Sequence, residues 1–521
     1  MTIATVSSAN AQQPAAPLRA GLPYRLGELW RRWCAAFSFL DDGSAEEKSR
    51  RSARNKMFVL SGIALFGAVW GSAVAVADVN ALYLCVSMIG CIAILIDFRV
   101  GVVLLILLMP ISRSYVFPHA MFGVTGLNPV NLLLVGTFGL WLFHGLYDGS
   151  IRRFLPRPLL WLYIVPLVIA GAIGSRHFKE IVPGFYMFGF LEFDSPAGYI
   201  RDRVVKPLFL VIFALLVGAA VSRSEKPEKF LAATLISIWL MGAMIVVIVI
   251  LSGIGVNQLA SAGSRDFLTP LIGMHANELG RLYAVAYALL LFTWAEAKDA
   301  GLRLSLLASI GLIVGALLLT FSRSAFLVFI LVNLLFVISR LNAKTLIVFG
   351  VLAVGALFIL PGAVYDRMTH GFGGGLDAIS AGRIESIWLP LLPEVVRHPI
   401  FGNGLGSMLW SDVMREQGGV IVSGVTHPHN AYLEAVLDMG IVGLILLCAY
   451  FTHVWRGFRR LGVDPALSPT MRGFYQGAAA GLLSFLIAGV TDSSLMPKAE
   501  QAFLWLAIGM MYGHLSKSRA K

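Results

Sequence analysis

The segment from His427 to Asn430 holds residue types that can transfer protons. Its sequence is His-Pro-His-Asn, and it is followed by Gly440 and Gly443 at the start of an apolar stretch. An unperturbed histidine has a pKa near 6.5, so its imidazole can accept a proton from a hydroxyl group at neutral pH. A lone histidine in an exposed loop is more often a polar surface residue. The role of His429 therefore depends on the pattern around it.

Three arginines stand beside polar or glycine-containing motifs. Arg281 follows His-Ala-Asn-Glu-Leu-Gly, Arg323 lies in Thr-Phe-Ser-Arg-Ser-Ala, and Arg383 ends Ser-Ala-Gly-Arg. A guanidinium stays charged and offers a planar fork of donors that matches phosphate oxygens. Arg323 could equally extend to lipid phosphates, as basic residues at the ends of membrane spans do. The three arginines are candidates for binding an anion.

Metal and dinucleotide sites are not indicated. Cys34, Cys85, Cys91 and Cys448 lack zinc or disulfide spacing, and the histidines do not have the helical spacing of known zinc motifs. The glycine-rich run from Gly402 to Gly406 follows no predicted strand of a βαβ unit. We therefore expect no metal and no cofactor.

The composition is typical of a membrane protein. Of the 521 residues 57% are hydrophobic and 13% are charged, whereas soluble domains carry roughly 25% charged residues. Uncharged runs long enough for a bilayer core recur along the chain. The net charge of +12 is not assigned to nucleic acid, because basic residues concentrate in alternate loops.

Threading the apolar runs gives an all-α polytopic protein of about 14 transmembrane helices. Their centres lie near residues 67, 88, 108, 138, 165, 213, 241, 288, 311, 332, 353, 443, 481 and 507. With the N-terminus inside, 27 of the 41 basic residues fall on the cytoplasmic side, as the positive-inside rule requires. The long loop 361–431 before the third-last helix is then periplasmic, and its stretch from Arg383 to Arg397 has the spacing of a helix lying on the membrane.

The predicted domain organisation has three parts. Residues 1–56 form a cytoplasmic tail, in which Tyr24 to Leu40 is either an amphipathic membrane-surface helix or an unstructured tether. Residues 57–516 form the transmembrane domain, with loop 361–431 as its functional loop, and residues 517–521 form a cytoplasmic C-terminal tail. Both termini are thus expected in the cytoplasm.

The spacing His-Asn, nine residues, Gly, two residues, Gly resembles the signature of the O-antigen ligase and Wzy-type polysaccharide polymerase superfamily. The Ser-Ala-Gly-Arg motif with Trp388, the Pro399 to Gly406 stretch and the motif around Arg323 fit the same family in order. The resemblance implies metal-independent, inverting transfer of a glycan from undecaprenyl pyrophosphate to a sugar hydroxyl, on the periplasmic face of the bacterial inner (cytoplasmic) membrane. It further implies His429 as general base, with Arg383 and Arg323 stabilising the leaving group.

Other assignments complete the expected site. Arg281, His427 and Asn430 are expected to bind substrate. The position of His427 beside His429 fits a hydrogen-bond partner of His429 and a simple loop residue equally well. Partners would be the lipid-linked glycan, membrane lipid, a chain-length regulator and export machinery. Polymerisation of exopolysaccharide or O-antigen repeat units is favoured over ligation of finished glycan to lipid A core. A flippase or transporter of lipid-linked sugars is the alternative from another class, disfavoured because the spans are nearly uncharged and show no internal repeat.

The predicted topology can be tested by cysteine labelling with a membrane-impermeant reagent. In a chain whose four native cysteines are replaced, Glu416→Cys should label in intact spheroplasts and Arg459→Cys should not, because the basic-residue asymmetry places them on opposite sides. Labelling at 459 without labelling at 416 would refute the threading.

Overall fold

The computed structural model describes residues 97–520 with gaps at 116, 119, 122–123, 126–127, 148–154, 182–190, 192, 194, 255–257, 259–267, 360–361, 370, 372, 417–424 and 492–493. The predicted N-terminal tail, its amphipathic helix and the spans near residues 67 and 88 lie outside the described residues. The predicted loop 361–431 is described in part.

The described residues form α-helices joined by loops and one small antiparallel hairpin, in which Ala120–Met121 pairs with Val124–Thr125. The helices are α1 (Phe98–Leu108), α2 (Pro129–Tyr147), α3 (Arg157–Gly174), α4 (Pro196–Arg223), α5 (Lys229–Ser252), α6 (Leu268–Ile272), α7 (Ala276–Glu296), α8 (Ala300–Leu319), α9 (Arg323–Ser339), α10 (Ala343–Ile359), α11 (Gly362–Thr369), α12 (Gly375–Ser380), α13 (Leu389–Arg397), α14 (Asp412–Glu416), α15 (Ala431–Gly462), α16 (Pro469–Ala488) and α17 (Ala502–Ala520).

Every predicted span centre within the described residues falls in one of these helices. Five helices, α3, α4, α5, α8 and α15, are long and apolar enough to cross a membrane. Shorter apolar helices occur at Phe98–Leu108, Pro129–Phe143 and Arg323–Ser339. The structure thus agrees with a polytopic helical membrane protein, while the total of fourteen spans stays a prediction.

Apolar side chains on the outside of these helices agree with a lipid environment. Leu251 of α5 is 80% exposed and Phe358 of α10 is 85% exposed. Ile441 and Ile445 of α15 are also exposed. Such side chains would be costly in water, whereas hydrocarbon solvates them as well as a protein core does.

Helix α7 lies at the centre of the described bundle, since every residue from Leu279 to Thr293 is buried. Helix α16 approaches it closely at Gly473 and Gly477. A β-carbon on either glycine would lie 2.5 Å from a carbonyl oxygen of α7. Small residues at such contacts let helix backbones approach, which is how helices commonly associate in membranes.

Three helices contain a π-helical turn just before a proline. The turns are Leu160–Ile164 before Pro166, Arg201–Val205 before Pro207, and Ile384–Trp388 before Pro390. Each turn is followed by a residue whose N–H donates to the carbonyl five residues earlier. Proline has no N–H and its ring collides with the carbonyl four residues earlier, so one widened turn lets each helix continue.

The last of these turns leads into α13. The helix predicted from Arg383 to Arg397 is therefore present, as a π turn followed by an α-helix that contains Pro393. Ile387 and Leu391 are buried, whereas Leu392 and Val396 are exposed. The segment is thus amphipathic, and its position on the membrane surface stays a prediction.

Helix α15 is broken at Gly440, whose φ of 66° and ψ of −172° lie outside the helical region. A β-carbon on Gly440 would lie 2.2 Å from the carbonyl carbon of Ile400. Glycine is needed here both for the positive φ and for this close approach. The released N–H groups of Ile441 and Val442 donate to the carbonyls of Pro399 (2.9 Å) and Ile400 (3.2 Å).

Candidate functional site

His429 lies just before the N-cap of α15, and its backbone φ is 50°. Few residues other than glycine adopt this left-handed conformation, and it persists where surrounding contacts enforce it. The ring of His427 is 4.2 Å from that of His429, centroid to centroid, with the two planes at 52°. The structure therefore brings the two predicted histidines together.

Several hydrogen bonds hold the histidine segment in place. Trp388 Nε1 donates to the carbonyl of Pro428 (2.8 Å), and the N–H of Ala431 donates to the carbonyl of Gly489 (2.8 Å). The sequence motif included Trp388, but its spacing gave no sign of this contact. The π turn that ends at Trp388 thus connects the segment from Arg383 to Arg397 directly to Pro428, the residue before His429.

Asn430 forms the N-cap of α15. Its Oδ1 accepts hydrogen bonds from the N–H groups of Tyr432 (3.0 Å) and Leu433 (3.1 Å). A capping asparagine contributes about 0.5–2 kcal/mol to helix stability relative to alanine. The structure therefore gives Asn430 a structural role, and substrate binding by its amide stays a prediction.

Arg383 sits at a tight turn that precedes the π turn. Ala381 and Gly382 both have positive φ, 63° and 80°, and the Arg383 N–H donates to Ser380 Oγ (3.1 Å). One guanidinium nitrogen donates to the carbonyl of Thr491. The carbonyl of Gly489, two residues before Thr491, accepts a hydrogen bond from the N–H of Ala431. The segment 489–491 therefore connects Arg383 to the histidine segment.

Arg323 is the first residue of α9. The preceding Ser322 caps the helix through Oγ, which accepts from the N–H of Ala325 (3.4 Å). Partial positive charge gathers at a helix N-terminus, so Arg323 and the α9 dipole act on an anion in the same direction. A β-carbon on Gly280 of α7 would lie 2.5 Å from the β-carbon of Ala325, which places the start of α9 against the residue next to Arg281.

Arg281 is buried and forms a two-pronged ion pair with Glu500. Its Nε lies 3.2 Å from Oε1, and one terminal nitrogen lies 2.9 Å from Oε2. Sequence reasoning assigned Arg281 to substrate and did not identify Glu500. The pairing favours a role in holding the loop after α16, and a direct contact with substrate stays a prediction.

The segment Gly489–Gln501 is thus part of the site, although no motif pointed to it. Besides Arg383 and Arg281, it is held by Tyr163, whose hydroxyl donates to the carbonyl of Leu495 (2.6 Å). Gln501 Nε2 donates to the carbonyls of Ser494 (2.9 Å) and Met496 (2.8 Å). The sequence signal that could have pointed to it is the run of polar and charged residues between two apolar stretches, which includes Ser494, Lys498 and Glu500.

Charged side chains join Glu180, which follows α3, to α14, and join α13 to α14. Arg415 lies 2.5 Å from Glu180, and Arg397 pairs with both Asp412 and Glu394. The hydrogen bond that Arg397 donates to the Asp412 carboxylate raises the pKa of the Arg397 guanidinium. These pairs are exposed, so solvent and salt screen them, and they orient the loops more than they stabilise the fold.

Among the described residues, no group of three or more His, Cys, Asp or Glu side chains is placed to hold a metal ion. The predicted cationic residues are Arg281, Arg323 and Arg383. Hydrogen bonds to segment 489–491 connect Arg383 to the histidine segment, and an arginine near histidines is suited to an anion beside a proton acceptor.

These features agree with a polytopic helical membrane protein whose predicted arginine and histidine residues lie at or near helix ends. Residues 308–448 match a family model described as O-antigen ligase, which confirms the resemblance predicted from the motifs. The matched residues 308–448 are similar to the O-antigen ligase family, and they include Arg323, Arg383 and the histidine motif. Arg281 and Gly489–Gln501 lie outside this range. A search of curated proteins finds no significant match.

The buried Arg281–Glu500 pair should be necessary for stability. Glu500→Gln leaves a buried guanidinium without its counter-charge, which should destabilise the fold by about 3–5 kcal/mol. The measurement is the thermal unfolding of the purified protein in detergent. Arg397→Gln is the control, because it removes an exposed pair that solvent already screens. Equal unfolding temperatures for Glu500→Gln and wild type would contradict this role.

Proposed function

We propose that this protein is a glycosyltransferase of the periplasmic membrane face that moves a glycan from undecaprenyl pyrophosphate to a sugar hydroxyl. Within this class of reaction, we favour the polymerisation of exopolysaccharide or O-antigen repeat units. The observation that carries the proposal is the held position of His429 beside His427, within a segment that matches the O-antigen ligase family.

In the proposed reaction, His429 accepts the proton of the acceptor hydroxyl while that oxygen bonds to the anomeric carbon of the donor. The bond from this carbon to the pyrophosphate oxygen breaks, and the leaving group keeps the electron pair. Attack from the opposite face inverts the anomeric configuration. General base catalysis of this kind contributes typically 10² to 10⁴ in rate. His427 would orient the His429 ring or bind the acceptor.

The departing pyrophosphate needs positive charge that is already in place. Arg383 is suited to this because its hydrogen bond to the carbonyl of Thr491 fixes the guanidinium before substrate binds, and fixed donors need no reorganisation during the reaction. Arg323 adds charge from the start of α9, reinforced by the helix dipole. We propose both as leaving-group residues of a metal-independent mechanism.

Arg281 has a second role in this proposal. Because it is paired with Glu500, it would hold the loop that carries Thr491, and so keep Arg383 in place. The proposed setting is the bacterial inner membrane, with both termini cytoplasmic. A chain-length regulator and export machinery would be partners of a polymerase.

The central test is His429→Ala. Turnover with a lipid-linked donor should fall by roughly 10² or more, the scale expected for a lost base. Expression and donor binding should stay near wild type, since the side chain acts on the acceptor. His398→Ala is the matched control, because it removes an exposed histidine from the same predicted loop.

Two outcomes would contradict the assignment. Near-normal turnover in His429→Ala together with an inactive His427→Ala would move the base to His427. Normal turnover in both variants would refute the proposed catalytic site.

Polymerase and ligase can be separated by analysing lipid-linked glycans from a deletion strain. Loss of a polymerase should leave single repeat units on the carrier, because the next unit can no longer be joined. Loss of a ligase should leave long unligated chains instead. We expect single units, and long chains would reassign the protein as a ligase.

A further inference from the structure

Asp438 is a buried carboxylate in the last turn of α15 before the break at Gly440. Its Oδ1 accepts three hydrogen bonds, from the N–H of Gly406 (3.0 Å), the N–H of Ser407 (3.1 Å) and the hydroxyl of Ser407 (3.0 Å). We refer to this contact as the Asp438 latch. It joins α15 to the predicted loop 361–431, which we call the outer loop.

The backbone around the latch is paired as well. The N–H of Asn403 donates to the carbonyl of Leu437 (2.9 Å), and that of Gly404 donates to the carbonyl of Asp438 (3.0 Å). A β-carbon on Gly402 would lie 2.4 Å from the carbonyl carbon of Asp438. The glycine-rich run from Gly402 to Gly406 is therefore a packing element that lies directly on α15.

Other polar groups face the same contact. The Tyr199 hydroxyl donates to the carbonyl of Leu405, and the Arg203 guanidinium carbon would lie 3.7 Å from a β-carbon on Gly406. Glu434 lies one helical turn before Asp438. The latch thus joins the loop to α15 and, through Tyr199, to α4.

A buried carboxylate is costly unless its hydrogen bonds compensate for lost hydration. Hydrogen bonds require a preferred distance and angle, which apolar contacts do not. The three hydrogen bonds on Asp438 Oδ1 fix both the position of the outer loop along α15 and its orientation on that helix. Simple attachment could be achieved by apolar packing, so the carboxylate indicates that the register itself matters.

The latch and His429 lie at opposite ends of one short helical segment, since Asp438 is near the end of the stretch from Ala431 to Met439 and His429 shortly precedes its start. A second part of the outer loop contacts the histidine segment, because Trp388 donates a hydrogen bond to the carbonyl of Pro428. The outer loop is therefore attached to α15 on both sides of this segment. A shift at one attachment would move His429 relative to Arg383.

We propose that Asp438 is a positioning residue for transfer, acting through the latch to keep His429 and Arg383 in register. This inference rests on the proposed function. Asp438 is expected to act on turnover without touching the substrate.

The first test compares Asp438→Leu and Asp438→Asn in the full-length purified protein. Leucine keeps the number of side-chain atoms but removes every acceptor, so kcat should fall by about 10²-fold, as for a misplaced catalytic group. Asparagine keeps one carbonyl acceptor and should lose less. The donor KM should change little in both, because the cationic residues remain.

Asp464→Asn is the control for a change of charge, since Asp464 Oδ1 accepts a local bond from the N–H of Ala466 (2.9 Å) at the far end of α15. Its kinetics should match wild type. An Asp438→Leu variant with wild-type kcat would overturn the positioning role.

A cross-link separates positioning from misfolding. The double variant carries Ile400→Cys and Ile441→Cys in a chain without the native cysteines. Both positions belong to the hydrogen-bonded contact between the outer loop and α15. Oxidation should form a disulfide readily when Asp438 is present and more slowly in Asp438→Leu. Once formed, the disulfide should restore much of the lost turnover.

The two proposals fail in distinguishable ways. A wild-type chain without transfer activity refutes the proposed function. An active wild type, combined with an Asp438→Leu variant that cross-links normally and is not rescued by the disulfide, refutes the latch alone.

Discussion

A helix that breaks inside or beside a membrane must find new partners for the backbone groups it releases, because hydrocarbon offers none. In this protein the break at Gly440 is compensated by the loop around Pro399 to Gly404, which exchanges hydrogen bonds with α15 in both directions. The outer loop is therefore required for the helix to exist in this form. The close approach and positive φ at Gly440 explain why the motif ends in glycine rather than in any small residue.

The same constraint is met differently at the prolines. Three π turns precede Pro166, Pro207 and Pro390, so each helix passes its proline without breaking. Such turns often occur at functional sites, since an added residue changes the direction of the side chains that follow. Here the turn before Pro390 begins after Arg383 and ends at Trp388, which bonds to the histidine segment. Its geometry thus decides how the arginine and the histidines face each other.

Much of the fold could be predicted because long apolar runs have few alternatives to a helix in a bilayer. Helix positions followed from local pattern, whereas the contact of His427 with His429 was one of two open alternatives. The partners of Arg281 and Arg383 did not, because Glu500 and Thr491 lie 219 and 108 residues away along the chain. Asp438 was missed because an acidic residue one turn inside a span looks like an isolated exception until the loop that binds it is placed.

The Arg281–Glu500 pair also affects how the proposed site would handle charge. An enzyme gains rate from interactions that are stronger in the transition state than in the ground state. A site with a large excess of positive charge would hold a pyrophosphate product tightly and slow its release. Pairing Arg281 with Glu500 offsets one positive charge, while Arg323 and Arg383 stay placed for the charge that develops on the leaving oxygen. Within the proposed function, the buried pair therefore both supports the loop and limits the affinity of the site for its product.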